Sequence, residues 1–243
     1  MLFISSGMQK SGSGYLYNLL NDLVIADGKS DAREIKTRYN LDNLMQQHNN
    51  NIGPMTFRNL LKLWRISIKE KPFVVKTHSQ PSSASKITSA LGMIKIIYCY
   101  RDPRDVLLST IDHGKKSLQE GVDDTFSKMI DFDVALRNVH GWTQVWSQYN
   151  EMGHALMIKY EDLMSTPLDS LQQIQNFLAL SVSPEICKEI LWKYSTKNKS
   201  ADMTGMHFNK AVTARYETEM SEEQKQACQN LLGNKLVLMG YTV

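Results

Sequence analysis

Three cysteines in 243 residues, Cys99, Cys187 and Cys228, are odd in number and far apart. That spacing excludes a disulfide scaffold and signals no zinc site; it suits reduced thiols in the cytoplasm. Charge of one sign is scarce too: 28 basic residues stand against 25 acidic ones, a formal balance of +3. A nucleic-acid partner calls for a strongly basic face or tail, so it is not expected. No apolar run approaches the roughly 20 residues of a bilayer-spanning helix, and Gly7 breaks the apolar start at Leu2, so neither a membrane anchor nor a leader is read. Internal repeats and interdomain linkers are also missing. The chain, 42% hydrophobic, is read as one soluble, cytoplasmic domain over residues 1–243 with a sizeable core.

What is present is an alternation. Leu2 to Ser5, Phe73 to Val75, Ile94 to Tyr100 and Ala155 to Tyr160 are short apolar runs rich in β-branched residues, the pattern of buried parallel strands. Helical patterns separate them. Asp102-Pro103-x-Asp105 and Thr166-Pro167-x-Asp169 each pair an N-cap residue with proline at the first helical position, and Ser221-x-x-Gln224 is a capping box. Gln46 to Asn51, Ser79 to Ser85 and Lys197 to Lys210 are polar enough to read as loops. The expected fold class is α/β, a P-loop-like three-layer sandwich with a central parallel sheet flanked by helices.

On that fold the ends of the strands carry the chemistry. Ser6 to Tyr17, "SGMQKSGSGYLY", follows the first strand and precedes a helix, so its amides and the helix N-terminus converge on an anion. Gly7 and Gly12 have the spacing of a nucleotide-binding P-loop, but Ser13 stands where that loop has lysine, and the lysine here is Lys10. Lys76-Thr77-His78 follows the second strand; "RDPRDVLLS", Arg101 to Ser109, follows the third; "YEDL", Tyr160 to Leu163, follows the fourth. Open α/β sheets bind ligands at those ends. Each motif also has a plain reading: a linking loop, a surface histidine, an arginine paired with an acid, a core aromatic before a surface acid pair.

Taken in order, the four motifs identify a family. Lys10-Ser11-Gly12-Ser13-Gly14-Tyr15 resembles the KSGTTW loop of sulfotransferases that use 3′-phosphoadenosine 5′-phosphosulfate (PAPS); Lys76-Thr77-His78 resembles their KTH, "RDPRDVLLS" their 3′-phosphate motif and "YEDL" their YED. The resemblance covers nearly the whole chain. It implies that Lys10, Ser11, Gly12, Ser13 and Gly14 hold the 5′-phosphosulfate, with Tyr15 in place of the adenine-stacking tryptophan. It places Arg101 and Ser109 on the 3′-phosphate, Tyr160 on the adenine and Ser195 or Thr196 at its far edge. Phe208 to Tyr216, "FNKAVTARY", aligns with the family's RKGxxG clamp, so Asn209, Lys210 and Ala211 fall on the nucleotide; Asn209 replaces the arginine, and Ala211 and Ala214 replace both glycines. Arg215 is an unmatched cation that could serve in their stead.

The implied chemistry is in-line transfer of a sulfuryl group to a hydroxyl or amine of a small molecule or natural product. His78 is the expected general base, suited to neutral pH by its ordinary pKa of about 6.5. Lys10 and Lys76 face the charge that builds on the leaving oxygens. No metal is expected, since a sulfuryl group carries less charge than a phosphoryl group. The product nucleotide is 3′-phosphoadenosine 5′-phosphate (PAP). Alternatives are an atypical P-loop kinase and a nucleotide-binding module without catalysis. The acceptor is sought between Asp27 to Arg65 and His113 to Trp142, where Phe126, Met129, Ile130 and Val134 have helical spacing. The chain is expected to act as a monomer or homodimer.

Overall fold

The computed structural model describes residues 1–46, 50–195, 198 and 212–243. Four parallel strands, β1 (Leu2–Gly7), β2 (Val74–Thr77), β3 (Ile94–Tyr100) and β4 (Ala155–Lys159), form one sheet in the order β2-β1-β3-β4. From β1 the chain runs through α1 (Ser13–Ala26), α2 (Ala32–Arg38) and α3 (Phe57–Lys69) to β2, and through α4 (Ser83–Ala90) to β3. α5 (Pro103–Gln119) and α6 (Phe132–Met152) lead to β4; α7 (Tyr160–Ser165), α8 (Pro167–Leu178), α9 (Pro184–Lys193), α10 (Tyr216–Glu219) and α11 (Glu222–Leu238) follow.

β1 is flanked by β2 on one side and β3 on the other, so the chain reverses its direction of travel across the sheet at β1. A crevice opens at the carboxyl ends of strands at such a reversal. The pleat divides the core in two. Leu2 and Ile4 of β1 face a cluster built with α3, α5, α6 and α11, whereas Phe3 faces one built with α1, α8 and α9. These are the three expected layers.

The helices begin where the cap chemistry requires. Asp102 accepts from Arg104 N, Pro103 opens α5, and Ser221 and Gln224 exchange both capping-box bonds at α11. Two expectations need correction. Thr166 precedes Pro167 at the start of α8 but makes no side-chain cap bond; its hydroxyl donates to Asp162 O at 3.3 Å instead. Ser79 to Ser85 is not all loop: Ser82 and Ser85 form a second capping box that starts α4. Among the described residues no helix is long and apolar enough to cross a membrane.

Candidate active site

The loop after β1 is folded onto the end of β3. Met8 N donates to Cys99 O at 2.9 Å, the Ser11 hydroxyl donates to Met8 O at 2.7 Å, and the Cys99 thiol returns a bond to Ser11 O at 3.1 Å. The backbone turns at Lys10 (φ 62°) and Gly12 (φ 82°), both left-handed. At Gly12 a side chain has no room, since a Cβ would stand 2.5 Å from the Tyr160 ring. Ser13 and Gly14 open α1, so the loop delivers its chain to a helix N-terminus, as an anion cradle demands. Tyr15 is buried on α1, with its phenol pushed up to about 12 by burial and by Tyr160.

Lys76 and Thr77 end β2 rather than following it, and the parallel register sets Lys76 beside Ser5. Outside the sheet, Lys76 N donates to Asn50 O and Ile52 N donates to Lys76 O, which clamps the strand end from its open edge. The Lys76 side chain is 4% exposed, and burial lowers its pKa to about 8, helped by Lys10. Lys10 also falls to about 8 through burial, against the pull of Asp112 and Asp124. Its ammonium lies 5.4 Å above the Phe126 ring. Among the described residues neither lysine forms an ion pair with a carboxylate. A buried Lys76 and a half-buried Lys10, neither ion-paired among the described residues, are a costly arrangement that an anion relieves.

His78 comes one residue beyond the strand, with Nδ1 2.8 Å from Gly7 O. Because a carbonyl only accepts, Nδ1 carries the hydrogen and the lone pair is on Nε2. Burial and then the Lys76 charge press the imidazole down to about 4, although the ring remains partly exposed. The site therefore holds a neutral histidine beside two depressed lysines, not the unperturbed imidazole that sequence reasoning assumes.

The β3 end is organised differently. Arg101 is 6% exposed; its Nη2 donates to Asp105 at 2.9 Å and to Val212 O at 2.6 Å, and its guanidinium stands 4.7 Å from the Tyr160 ring. Arg101 Nε is buried with no partner, an orphan donor for an anion. Ser109, two turns along α5, is buried. Tyr160 is 3% exposed beneath Gly12 and beside Arg101, the placement of a core aromatic. Glu161 is not a surface acid: it accepts from Asp102 N at 3.1 Å and from the Tyr241 hydroxyl at 2.8 Å. Arg215 is committed elsewhere, to Asp112 at 2.6 Å and Glu219 at 2.8 Å. Those carboxylates, unlike an open phosphate seat, raise its pKa further.

Ser195 comes two residues after α9, whereas Thr196, Asn209, Lys210 and Ala211 lie outside the described residues. Phe126, Met129 and Ile130 sit in a turn, and only Val134 is in α6. Phe126 is edge-on to His113 at 4.7 Å, so this turn covers Lys10 in place of a helical face. A cleft of about 740 Å³ is lined by Pro54 to Phe57, within the expected Asp27 to Arg65 segment, and by Ser79 to Ala84 and Val145, which sequence reasoning did not single out.

A family model for the sulfotransferase domain matches residues 2–240. The chain belongs to the sulfotransferase family. The chain is 28% identical over 110 residues to the 3-alpha-hydroxysteroid sulfotransferase of Cavia porcellus, covering 42% of this chain and 37% of that one. It is 22% identical over 178 residues to sulfotransferase 2A6 of Rattus norvegicus, covering 72% and 55%. The matches thus span about half or less of these curated relatives. Its fold is similar to that of mouse sulfotransferase SULT7A1 complexed with PAP, with TM-score 0.60 and 16% identity over 97% of this chain and 84% of that chain. Retinol dehydratase in complex with androsterone and PAP gives TM-score 0.60 and 18% identity over 100% and 81%.

Proposed function

We propose that this sulfotransferase moves the sulfuryl group of PAPS to a hydroxyl, or an amine, of a small molecule, with His78 as general base. The observation that carries the reading is a buried Lys76 and a half-buried Lys10, neither ion-paired to a carboxylate among the described residues, together with a neutral histidine whose Nε2 is unprotonated. Loop amides of Ser11 to Gly14 and the Lys10 and Lys76 ammoniums would hold the phosphosulfate. Arg101 Nε and Ser109 fit the 3′-phosphate, and Tyr160, Tyr15, Ser195 and Thr196 the adenine side. Asn209, Lys210 and Ala211 are proposed to close the same end. The donor supplies a sulfur bonded to a phosphate leaving group. His78 Nε2 takes the acceptor proton as the new O–S bond forms and the bond from sulfur to the bridging oxygen breaks; Lys10 and Lys76 meet the charge released.

The acceptor enters, on this reading, through the cleft whose wall begins at Ser79, the residue after His78. Met55, Phe57, Pro81, Ala84 and Val145 make it apolar, and among the described residues no charged side chain lines it. A neutral alcohol with a hydrocarbon body suits such a wall, because a charged acceptor would lose its hydration there. The hydroxysteroid and retinol in the names of the relatives belong to that class. Three buried free thiols support a cytoplasmic location.

The test is melting temperature with PAP and no metal, followed by transfer of radiolabelled sulfuryl to neutral alcohols. A ligand at 100 times its Kd stabilises by roughly 2.7 kcal/mol. A shift with ATP and magnesium but not with PAP would overturn the reading, and binding without transfer would leave a nucleotide-binding module.

A further inference from the structure

One buried hydroxyl beside the site takes no part in the reaction described above. Tyr149, on α6, is 0% exposed, and its hydroxyl donates to Ser79 O at 2.8 Å. Burial holds the phenol well above its ordinary pKa, so it stays a neutral donor. On the other flank of His78, the Thr77 hydroxyl donates to Gly53 O at 2.8 Å and accepts from Ser79 N at 3.0 Å. The ring itself is held by Gly7 O at 2.8 Å. The backbone on both sides of the imidazole is thus tied to different layers: to the β2 edge through Thr77 and to α6 through Tyr149.

We propose that Tyr149 is a positioning residue that, together with Thr77, brackets His78 and aims its Nε2 at the acceptor. The proposal rests on the reading of His78 as the base. α6 connects two functions here. Val145, one turn before Tyr149, lines the acceptor cleft, and Ser79 is both a wall of that cleft and the residue Tyr149 holds. One helix therefore sets the distance between the acceptor wall and the base. Small errors in such a distance are expensive, since a reacting pair misplaced by about 1 Å can lose on the order of 10²-fold in rate.

The same patch contains its own control. Tyr98 packs on Tyr149 with ring centroids 4.5 Å apart, yet the Tyr98 hydroxyl is buried with no partner. Removing that oxygen breaks no bond to the segment carrying His78. Removing the Tyr149 oxygen leaves Ser79 O without this donor.

The experiment compares Tyr149→Phe, Tyr98→Phe and wild type in single-turnover transfer from saturating PAPS, in PAP affinity, and in the His78 pKa followed by imidazole NMR. Expected for Tyr149→Phe is a rate about tenfold lower, unchanged PAP affinity, and a His78 pKa moved up from about 4 as the loosened ring gains water. Tyr98→Phe is expected to match wild type in all three. A Tyr149→Phe rate within about twofold of wild type with an unmoved His78 pKa, or equal losses in both variants, overturns the proposal. If Tyr149→Phe does not fold, Thr77→Val cuts the other flank and carries the same readouts. Should wild type transfer to no acceptor, the base assignment falls, while the His78 pKa in the variants still decides whether the bracket positions the ring.

Discussion

The two ends of the proposed nucleotide seat balance charge in opposite ways. At the β1 and β2 ends, Lys76 is buried and Lys10 half-buried, neither pairs with a carboxylate among the described residues, and burial brings both pKa values down to about 8. At the β3 end, Arg101 Nη2 is already engaged by Asp105 and Val212 O, with Nε left over, and Arg215 is engaged by Asp112 and Glu219. The first end carries a standing electrostatic cost that only an anion removes; the second exchanges one set of partners for another. An anion should therefore gain more from the lysines than from the arginine. On the proposed reading, preorganised charge would sit where the bond breaks, and charge-neutral anchoring where the nucleotide is merely held.

The largest effect expected is on chemistry at the first end. His78→Ala should cut single-turnover transfer by about 10² to 10⁴ while PAP affinity stays near wild type, because in the proposed mechanism the imidazole touches the acceptor and not the nucleotide. A variant at full rate would reduce His78 to a structural role and move the search to His113 and His140.

Lys76→Met keeps the length of the side chain and removes its charge. Loss of one charge-assisted contact of about 1.5–3 kcal/mol should weaken PAP binding by roughly 10- to 100-fold. The His78 pKa should rise, since Lys76 is one of the two influences that depress it. Calorimetry and NMR read the two effects separately.

Arg101→Ala is expected to cost less, about tenfold in PAP affinity, and to erase discrimination against nucleotides that lack the 3′-phosphate. If it costs more than Lys76→Met, the contrast between the two ends is wrong.

The smallest effect is a proton count. Anion binding favours charged lysine and raises both depressed pKa values, so PAP binding at about pH 8.5 should take up close to one proton, and at about pH 6.5 the lysine contribution should vanish. Titration calorimetry in two buffers of different ionisation enthalpy measures it; no uptake at the higher pH would mean that the lysines do not face the ligand.

Much of this was legible beforehand. The four strands announce themselves because a strand buried on both faces must be apolar throughout, and the Asp102-Pro103 and Ser221-Gln224 starts follow from local backbone chemistry. Ser82 was hidden because serine caps a helix with the same hydroxyl that makes it a loop residue. Partnerships distant in sequence were also hidden: nothing local joins Asp112 to Arg215, Phe126 to Lys10, or Tyr149 to Ser79. The depression of His78 belongs to this class, since burial and a neighbouring ammonium are properties of the packed chain. The Arg101 and Asp105 pair, four residues apart across the start of α5, was within reach of a spacing argument.

The reciprocal bonds between Cys99 and Ser11 have a kinetic consequence. A thiol that is 0% exposed and pushed to about 12 by burial reacts with an alkylating reagent only when the phosphate loop lifts off the end of β3. Cys99 is in effect a clock for loop opening, built into the native sequence and readable by mass spectrometry apart from Cys187 and Cys228. A ligand seated in the loop should slow that clock while leaving the other two thiols at their own pace.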